Sequence, residues 1–80
     1  MYYVYLIKSI NNPDQVYIGY TDNVSERLQT HNSGGSVHTS SFRLWELITC
    51  IAFKERSTAI SFEKYLKSGS GRAFAKKRLW

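Results

Sequence analysis

The sequence predicts a small α+β domain in which helices pack on the faces of an antiparallel sheet. Two short runs of aromatic and β-branched residues, at positions 2–8 and 15–20, flank a polar turn. A third, mostly apolar run covers residues 44–53, and segments with helical spacing come before and after it. The resulting order β-β-α-β-α-α fits one small sheet covered by helices.

The first two runs predict a hairpin, with Pro13 in its loop because proline cannot donate to a strand ladder. Side chains alternate between the two faces of a strand, so Tyr3 and Tyr5 share a face. Tyr17 and Gly19 likewise share a face of the second strand, and we expect a tyrosine from each strand on one surface. Gly19 is expected where the backbone turns or closely approaches another group.

The next segment predicts a helix over about residues 24–31. Asn23 and Glu26 have the spacing of a capping box at its start. Arg27 and His31 lie four residues apart and therefore share a face, which differs from the face directed at the core.

Asn32 is expected to cap the end of this helix, and residues 33–43 to form a mobile loop beside the tyrosine-bearing surface. The apolar run at residues 44–53 is expected to be a central or well-covered strand. Cys50 lies in this run, which predicts a buried and unreactive thiol. Since it is the only cysteine, no disulfide framework is available, which fits a reducing, intracellular setting.

Two helices are predicted in the last third of the chain. The first covers about residues 58–67 and begins at a cap formed by Ser57 or Thr58. Its apolar stripe consists of Ala59, Phe62 and Leu66, and the acidic residue Glu63 borders that stripe. Residues 68–71 (Ser-Gly-Ser-Gly) are expected to break this helix before a short basic helix over residues 72–79.

Positive charge is concentrated at one end of the chain. The net charge is +5, and residues 54–80 hold eight of the eleven Lys and Arg against two of the six acids, an excess of six. This excess favours a polyanionic partner, nucleic acid first. No stretch approaches the roughly 20 apolar residues of a membrane span and no signal-peptide pattern is present, so we expect a cytoplasmic protein without a membrane partner.

Five polar side chains are candidates for chemistry. They are Tyr5, Tyr17, Arg27, His31 and Glu63. Each has an ordinary structural explanation by itself, as a packing tyrosine, a solvated arginine, a helix-end histidine or a surface ion pair. There is no His and Cys cluster with metal-ligand spacing, no phosphate-cradling glycine loop and no carboxylate pair of the glycosidase kind. The residues alone indicate a basic, nucleic-acid-binding domain with a tyrosine-rich candidate site.

The sequence resembles the GIY-YIG nuclease superfamily, in particular its short stand-alone bacterial members. The matching motifs are, in order, Tyr3-Val4-Tyr5, Val16-Tyr17-Ile18-Gly19, Arg27, His31-Asn32 and Glu63. Residues 23–32 are similar to the family's Arg-x-x-x-His helix, and residues 59–67 to its metal-binding Glu helix. Tyr3 replaces the glycine of the first motif but leaves the motif's tyrosine, Tyr5, in place. The resemblance covers residues 1–80 as a single domain and implies a three-stranded antiparallel sheet flanked by helices.

The resemblance also implies a metal-dependent endonuclease that hydrolyses DNA phosphodiester bonds. Glu63 would bind a single Mg²⁺ or Mn²⁺ ion, and Arg27 would hold the scissile phosphate. Tyr5, Tyr17 and His31 are the alternatives for the general base, with Tyr5 favoured, and the other two would position the water or assist proton transfer. No small-molecule cofactor is implied.

The basic end of the chain would then contact DNA. The residues expected to do so are Lys64, Lys67, Arg72, Lys76, Lys77 and Arg78. No element for reading the major groove is evident, so we expect low intrinsic sequence specificity. Superfamily members often gain targeting from an appended domain, which this sequence lacks; a targeting protein partner would take its place.

Two other functions are open. The first is a nucleic-acid-binding module with lost or very weak catalysis, which would bind DNA in a salt-sensitive manner without metal-dependent turnover. The second is a protein-interaction domain that uses the aromatic surface of Tyr2, Tyr20 and Trp80, which would show no salt-sensitive DNA binding.

Overall fold

The computed structural model of the protein describes residues 1–80. It contains three strands, three α-helices and a single 3₁₀ turn at Ser40–Phe42. In chain order the elements are β1 (Tyr2–Ser9), β2 (Val16–Thr21), α1 (Val24–Asn32), β3 (Trp45–Phe53), α2 (Arg56–Lys67) and α3 (Gly69–Arg78). The predicted α+β class and the predicted order of elements are confirmed. None of the helices is long and apolar enough to cross a membrane.

The sheet is antiparallel with the strand order β2-β1-β3, so β1 is its central strand. Across the β1–β2 pair, Tyr5 is opposite Gly19 and Ile7 is opposite Tyr17. Partners in such a pair point to the same face, so Tyr5 and Tyr17 share a surface as predicted.

The prediction that β3 is a central or well-covered strand is wrong. β3 is an edge strand that pairs only with β1, and the central strand β1 is the one whose residues 4–7 are all buried. Cys50, predicted to be buried, is therefore exposed on β3. Partial desolvation still raises the pKa of its thiol, which keeps it protonated at neutral pH and agrees with low reactivity.

Each face of the sheet has its own core. Under α2 and α3, the packed residues are Val4, Leu6, Ala59, Leu66 and Ala75, with Phe62 at their border. On the opposite face, the packed residues are Tyr5, Ile7 and Trp45, with Val24 and Leu28 of α1. The apolar stripe predicted for α2 is confirmed. Because α1 and α2 lie on opposite faces, their polar side chains can meet only around an edge of the sheet.

α1 begins as predicted and ends differently. Asn23 Oδ1 accepts a hydrogen bond from the backbone N–H of Glu26 (3.0 Å). The C-cap is Ser33, followed by Gly34 at φ 83°, a left-handed conformation that glycine adopts readily. The glycine-rich ending was predicted, but a capping role for Asn32 is wrong.

Asn32 is the last residue of α1, and its side chain fastens the helix to the start of β3. Its Oδ1 accepts from Trp45 N (2.6 Å), and its Nδ2 donates to Trp45 O (3.1 Å). A side-chain amide has both a donor and an acceptor, so it can pair with one residue's backbone as a strand neighbour would.

α2 begins at Arg56, two residues earlier than predicted, and ends at Lys67 as predicted. Its N-cap is Glu55, whose side chain makes no capping bond, so neither Ser57 nor Thr58 has the predicted role. Packing of the apolar stripe outweighs the missing cap, since tertiary contacts supply most of a short helix's stability.

α3 begins at Gly69 rather than at Arg72, so part of the predicted break is helical. Ser68 caps the helix, because its Oγ accepts from the backbone N–H of Gly71 (3.3 Å). A Cβ atom at Gly71 would overlap the carbonyl group of Tyr65. The glycines therefore allow the backbones of α2 and α3 to pack closely at the turn between them.

Candidate active site

A buried histidine is central to the candidate site. His31, in the last turn of α1, has 0% of its surface exposed. Its Nε2 lies 2.9 Å from Tyr5 Oη, and its Nδ1 lies 2.6 Å from Thr39 Oγ1. A neutral imidazole has one donor and one acceptor nitrogen, so one hydroxyl donates to the ring and the other accepts from it. The three side chains form a chain of hydrogen bonds, and each of them is at most 2% exposed.

Burial controls the ionisation of Tyr5 and His31. It lowers the pKa of His31 below its ordinary value, and the nearby charge of Arg27 lowers it further. It raises the pKa of Tyr5 far above the ordinary value for a phenol, with Tyr17 and Glu63 adding to the increase and Arg27 opposing it. At neutral pH, Tyr5 is therefore an uncharged phenol and His31 an uncharged imidazole.

Tyr17 and Gly19 of β2 complete the surroundings of Tyr5. The ring of Tyr17 has its centroid 6.3 Å from that of Tyr5 and 5.1 Å from that of His31. A Cβ atom at Gly19 would lie 2.5 Å from Tyr5 Cζ. Gly19 therefore leaves the space that the Tyr5 ring occupies, which is the close approach expected at this glycine.

Arg27 and Glu63 approach the aromatic cluster from different helices. Arg27 is exposed on α1, one turn before His31, and its charge acts on both His31 and Tyr5. Glu63 lies on α2 with 19% of its side chain exposed, and its charge also acts on Tyr5. The charges of Arg27 and Glu63 thus both act on Tyr5, which forms an aromatic cluster with Tyr17 and His31.

Comparison with known proteins identifies the family. Residues 1–78 match the GIY-YIG catalytic domain. The chain belongs to the GIY-YIG family. The UPF0213 protein of Staphylococcus haemolyticus is 37% identical over 70 residues, which cover 86% of this chain and 83% of that protein.

Fungal proteins named structure-specific endonuclease subunit SLX1 are also similar. The one from Debaryomyces hansenii is 40% identical over 73 residues, and the one from Talaromyces marneffei is 40% identical over 68 residues. These matches cover 82% and 78% of this chain but only 21% and 18% of the fungal proteins. The GIY-YIG domain described here therefore spans about a fifth of the length of these relatives. The family model that matches this chain is described as a catalytic domain.

The donor atoms in this GIY-YIG domain fit a metal that needs few protein ligands. No group of three or more His, Cys, Asp and Glu side chains clusters anywhere in the chain. Glu63 supplies one partly exposed carboxylate beside the tyrosines. Mg²⁺ is often held by one or two carboxylates, with water and substrate phosphate as the other ligands, and Mn²⁺ prefers the same oxygen donors. A zinc site with three or four protein ligands does not fit.

The six basic residues predicted to contact DNA are all exposed, on α2 and α3. Lys67, Arg72 and Lys76 line one groove of about 810 Å³, which Tyr17 also lines. The other three, which do not line it, are Lys64, Lys77 and Arg78. The structure thus divides the predicted DNA contacts into a set next to the candidate site and a set outside the groove.

Sequence reasoning missed Thr39 and Arg56. Thr39 bonds to His31, and its carbonyl oxygen accepts from the indole N–H of Trp45 (2.9 Å). Residues 33–43 do lie beside the site, but Thr39 fastens them there. Arg56 lines a cavity of about 370 Å³ together with Arg27. No pattern marks which hydroxyl of a Ser- and Thr-rich loop is buried, and Arg56 lies just before the predicted helix cap at Ser57 or Thr58, outside the predicted helix.

The aromatic residues of the protein-interaction alternative, Tyr2, Tyr20 and Trp80, are half-buried against the core under α2 and α3. Tyr20 Oη also accepts a hydrogen bond from Arg56 Nε (2.6 Å). These rings contribute to packing and to local polar contacts, which weakens the case for an open aromatic docking surface.

Proposed function

We propose that this GIY-YIG domain, residues 1–80, is a divalent-metal-dependent endonuclease that hydrolyses DNA phosphodiester bonds with low intrinsic sequence specificity. The observation that carries the proposal is the contact of Tyr5 with His31, formed where the charges of Arg27 and Glu63 act on the same phenol. The endonuclease names of the fungal relatives support it.

Tyr5 and His31 act together on the attacking water. The raised pKa of Tyr5 excludes a preformed phenolate as the base. Instead, the water proton passes to Tyr5 Oη while the phenol's own proton passes to His31 Nε2. This relay requires the tautomer in which His31 Nδ1 carries a proton and donates to Thr39 Oγ1, 2.6 Å away. The water oxygen bonds to phosphorus, the bond from phosphorus to the leaving oxygen breaks, and that oxygen takes a proton from solvent.

Arg27 and Glu63 act on the phosphate. The guanidinium of Arg27 forms no ion pair within the chain, so it is free to donate to a phosphate oxygen and stabilise the charge that develops there. When bound at Glu63, Mg²⁺ or Mn²⁺ supplies positive charge for the leaving oxygen and the phosphate. Tyr17, beside Tyr5 and His31, orients the attacking water.

A second candidate is a nucleic-acid-binding module with lost or very weak catalysis. It is favoured by the ion pair of Glu63 with Lys67, whose Oε2 and Nζ atoms are 3.1 Å apart, because the pair occupies the carboxylate. An exposed pair of this kind contributes only about 0–1 kcal/mol, so a metal ion can replace Lys67 with little loss. The endonuclease therefore stays the first proposal. The word subunit in the names of the fungal relatives supports a targeting protein partner in addition to DNA.

A plasmid-nicking assay with and without Mg²⁺ or Mn²⁺ tests the proposal. Glu63→Gln and Arg27→Ala should each slow nicking by about 100-fold, the loss expected when a group that stabilises transition-state charge is removed. Glu46→Gln, on the exposed side of β3, is the matched control and should nick at the wild-type rate.

Equal nicking by the wild type, Glu63→Gln and Arg27→Ala would reveal a contaminating nuclease and refute the proposal. Salt-sensitive DNA binding that survives Glu63→Gln, with no metal-dependent nicking by the wild type, would support the second candidate.

A further inference from the structure

A groove beside the candidate site has features that the proposed nuclease function does not explain. It lies between the β1–β2 hairpin and the helices α2 and α3, and it has a volume of about 810 Å³. Tyr17 lines the groove and is also part of the aromatic cluster at His31. The groove is therefore continuous with the candidate active site.

The groove is strongly cationic. The charged residues that line it are Lys8, Lys67, Arg72, Lys76 and Asp14. Only Lys67 among the four bases takes part in an ion pair within the chain, with Glu63. Lys8 and Arg72 come from different elements, β1 and α3, so the charge results from the fold and not from one basic segment. The complementary ligand is a polyanion.

The groove also has an apolar and aromatic lining. Its apolar residues include Ile18, Leu66, Ala75 and Trp80. Lys8 Nζ lies 5.8 Å from the centroid of the Trp80 ring, and Lys67 Nζ lies 5.7 Å from that of Tyr17. An ammonium group thus lies over each of these rings, and a stacked base would take its place on the ring face. Proteins that bind single-stranded nucleic acid without reading its sequence combine a cationic track with aromatic rings on which bases stack.

We propose that this groove binds an unpaired DNA strand that continues from the phosphate at the Tyr5–His31 site. A base of that strand stacks on Trp80, and its phosphates are neutralised by Lys67, Arg72 and Lys76. Paired bases inside a duplex cannot offer their faces to an indole ring, so the preferred substrate has a single-stranded segment next to the cleavage point. The inference rests on the proposed nuclease function for the cleavage point, whereas binding in the groove requires no cleavage.

Tryptophan fluorescence reports occupancy of the groove directly. The wild-type protein is titrated with an oligothymidylate of about eight nucleotides, with EDTA present so that no metal-dependent cleavage occurs. Stacking of a base on Trp80 should quench its emission, while Trp45, only 3% exposed, supplies a constant background. Because Trp80 variants lack this signal, their affinity is measured by fluorescence anisotropy of a dye-labelled oligothymidylate. Trp80→Leu, which keeps apolar bulk, should weaken binding about tenfold, the loss expected for one stacked base. Trp80→Phe should restore most of the affinity, since a phenyl ring also stacks.

Two matched controls separate the groove from the rest of the basic surface. Phe74→Ala removes an α3 ring that is 40% exposed and does not line the groove, and Lys54→Ala removes an exposed cation outside it. Both should bind the oligothymidylate as the wild type does. Lys76→Ala should weaken binding and reduce the slope of log affinity against log salt by about 1. Losses of equal size in the controls would overturn the inference.

Two further ligands test whether the groove prefers an unpaired DNA strand to other polyanions. A polyglutamate peptide of matched charge carries no bases, and a blunt DNA duplex exposes no base faces along its length. Equal quenching by polyglutamate, or tighter binding of the blunt duplex than of a duplex with a single-stranded extension, would refute the proposal. Since no metal is present, the outcome is separate from nicking. A protein that nicks plasmid but shows no quenching loses the groove proposal alone, and one that is quenched but never nicks loses the endonuclease proposal alone.

Discussion

Gly19→Ala should disrupt the candidate site from a position that carries no functional group. The added methyl carbon would lie 2.5 Å from Tyr5 Cζ and 2.9 Å from Cε1, whereas carbon atoms in contact are normally about 3.5–4.0 Å apart. The Tyr5 ring has little freedom to move aside, because it is only 2% exposed and its hydroxyl is bonded to His31.

The size of the expected loss in unfolding free energy follows from these contacts. Overpacking of a buried position costs about 1–3 kcal/mol, and a lost or bent hydrogen bond to His31 adds about 1 kcal/mol. The free energy of unfolding should therefore fall by about 2–4 kcal/mol. For a domain of this size, 1 kcal/mol corresponds to about 4–8 °C, so the melting temperature should fall by at least about 8 °C. Nicking should fall as well, because the Tyr5 hydroxyl moves away from His31.

Urea denaturation and thermal melting measure the effect against two references. No atom lies within 4 Å of a Cβ placed at Gly69, so Gly69→Ala should leave stability unchanged or raise it by up to about 1 kcal/mol. In a Tyr5→Leu background, Gly19→Ala should cost less than half as much, because the ring it meets is gone. An equal cost in both backgrounds, or a Gly19→Ala protein as stable as the wild type, would refute the reasoning.

Three further predictions concern the hydrogen bonds around α1. Lowering the pH from about 7.5 to about 5.5 should reduce the unfolding free energy, because the lowered pKa of His31 lets the unfolded chain bind protons that the folded protein does not. In urea titrations, His31→Gln should remove the part of the slope of unfolding free energy against pH that His31 causes. An unchanged slope would contradict the account. Thr39→Val should lower the unfolding free energy by about 1–3 kcal/mol because His31 Nδ1 loses its partner, and Thr39→Ser should restore it, both measured by urea denaturation. Asn32→Asp should lower the unfolding free energy by a similar amount in the same assay, since a carboxylate replaces the amide that donates to Trp45 O. Gln29→Glu, on the exposed side of α1, should be nearly neutral. Equal effects of the two substitutions would contradict the role of Asn32.

Local rules account for much of the fold and of the site. Strand alternation predicted that a tyrosine from each strand of the hairpin would share a surface, and the family resemblance singled out Tyr5 and Tyr17. Four-residue spacing was enough to pair Arg27 with His31 on α1. Strand order does not follow from such rules. β1 and β3 are similarly apolar, and β1 is central because both other strands pair with it, an arrangement that the pattern of neither strand shows. Cys50 was therefore predicted to be buried and is exposed.

The groups that hold the site in place were the least predictable. Thr39 lies in a loop with four other Ser and Thr residues between positions 33 and 43, and only the tertiary fold selects it as the partner of His31. The side chain of Asn32 pairs with backbone atoms 13 residues away, a distance at which sequence spacing carries no information. Trp80 and Lys8 reach the groove from opposite ends of the chain, so neither signals the groove in the sequence.

The shifted pKa values of Tyr5 and His31 indicate when the proposed proton transfer can occur. Burial opposes a charged form of either residue, so transfer from Tyr5 to His31 is unfavourable in the free protein. The positive charge of Arg27 acts on both groups: it lowers the pKa of Tyr5, which favours release of the phenol's proton, and it lowers the pKa of His31, which opposes uptake of that proton. A phosphate bound at Arg27 would cancel that charge and place a negative one near the new imidazolium. In the proposed mechanism, the pKa of His31 should therefore rise when DNA binds, which favours uptake of the proton by the imidazole.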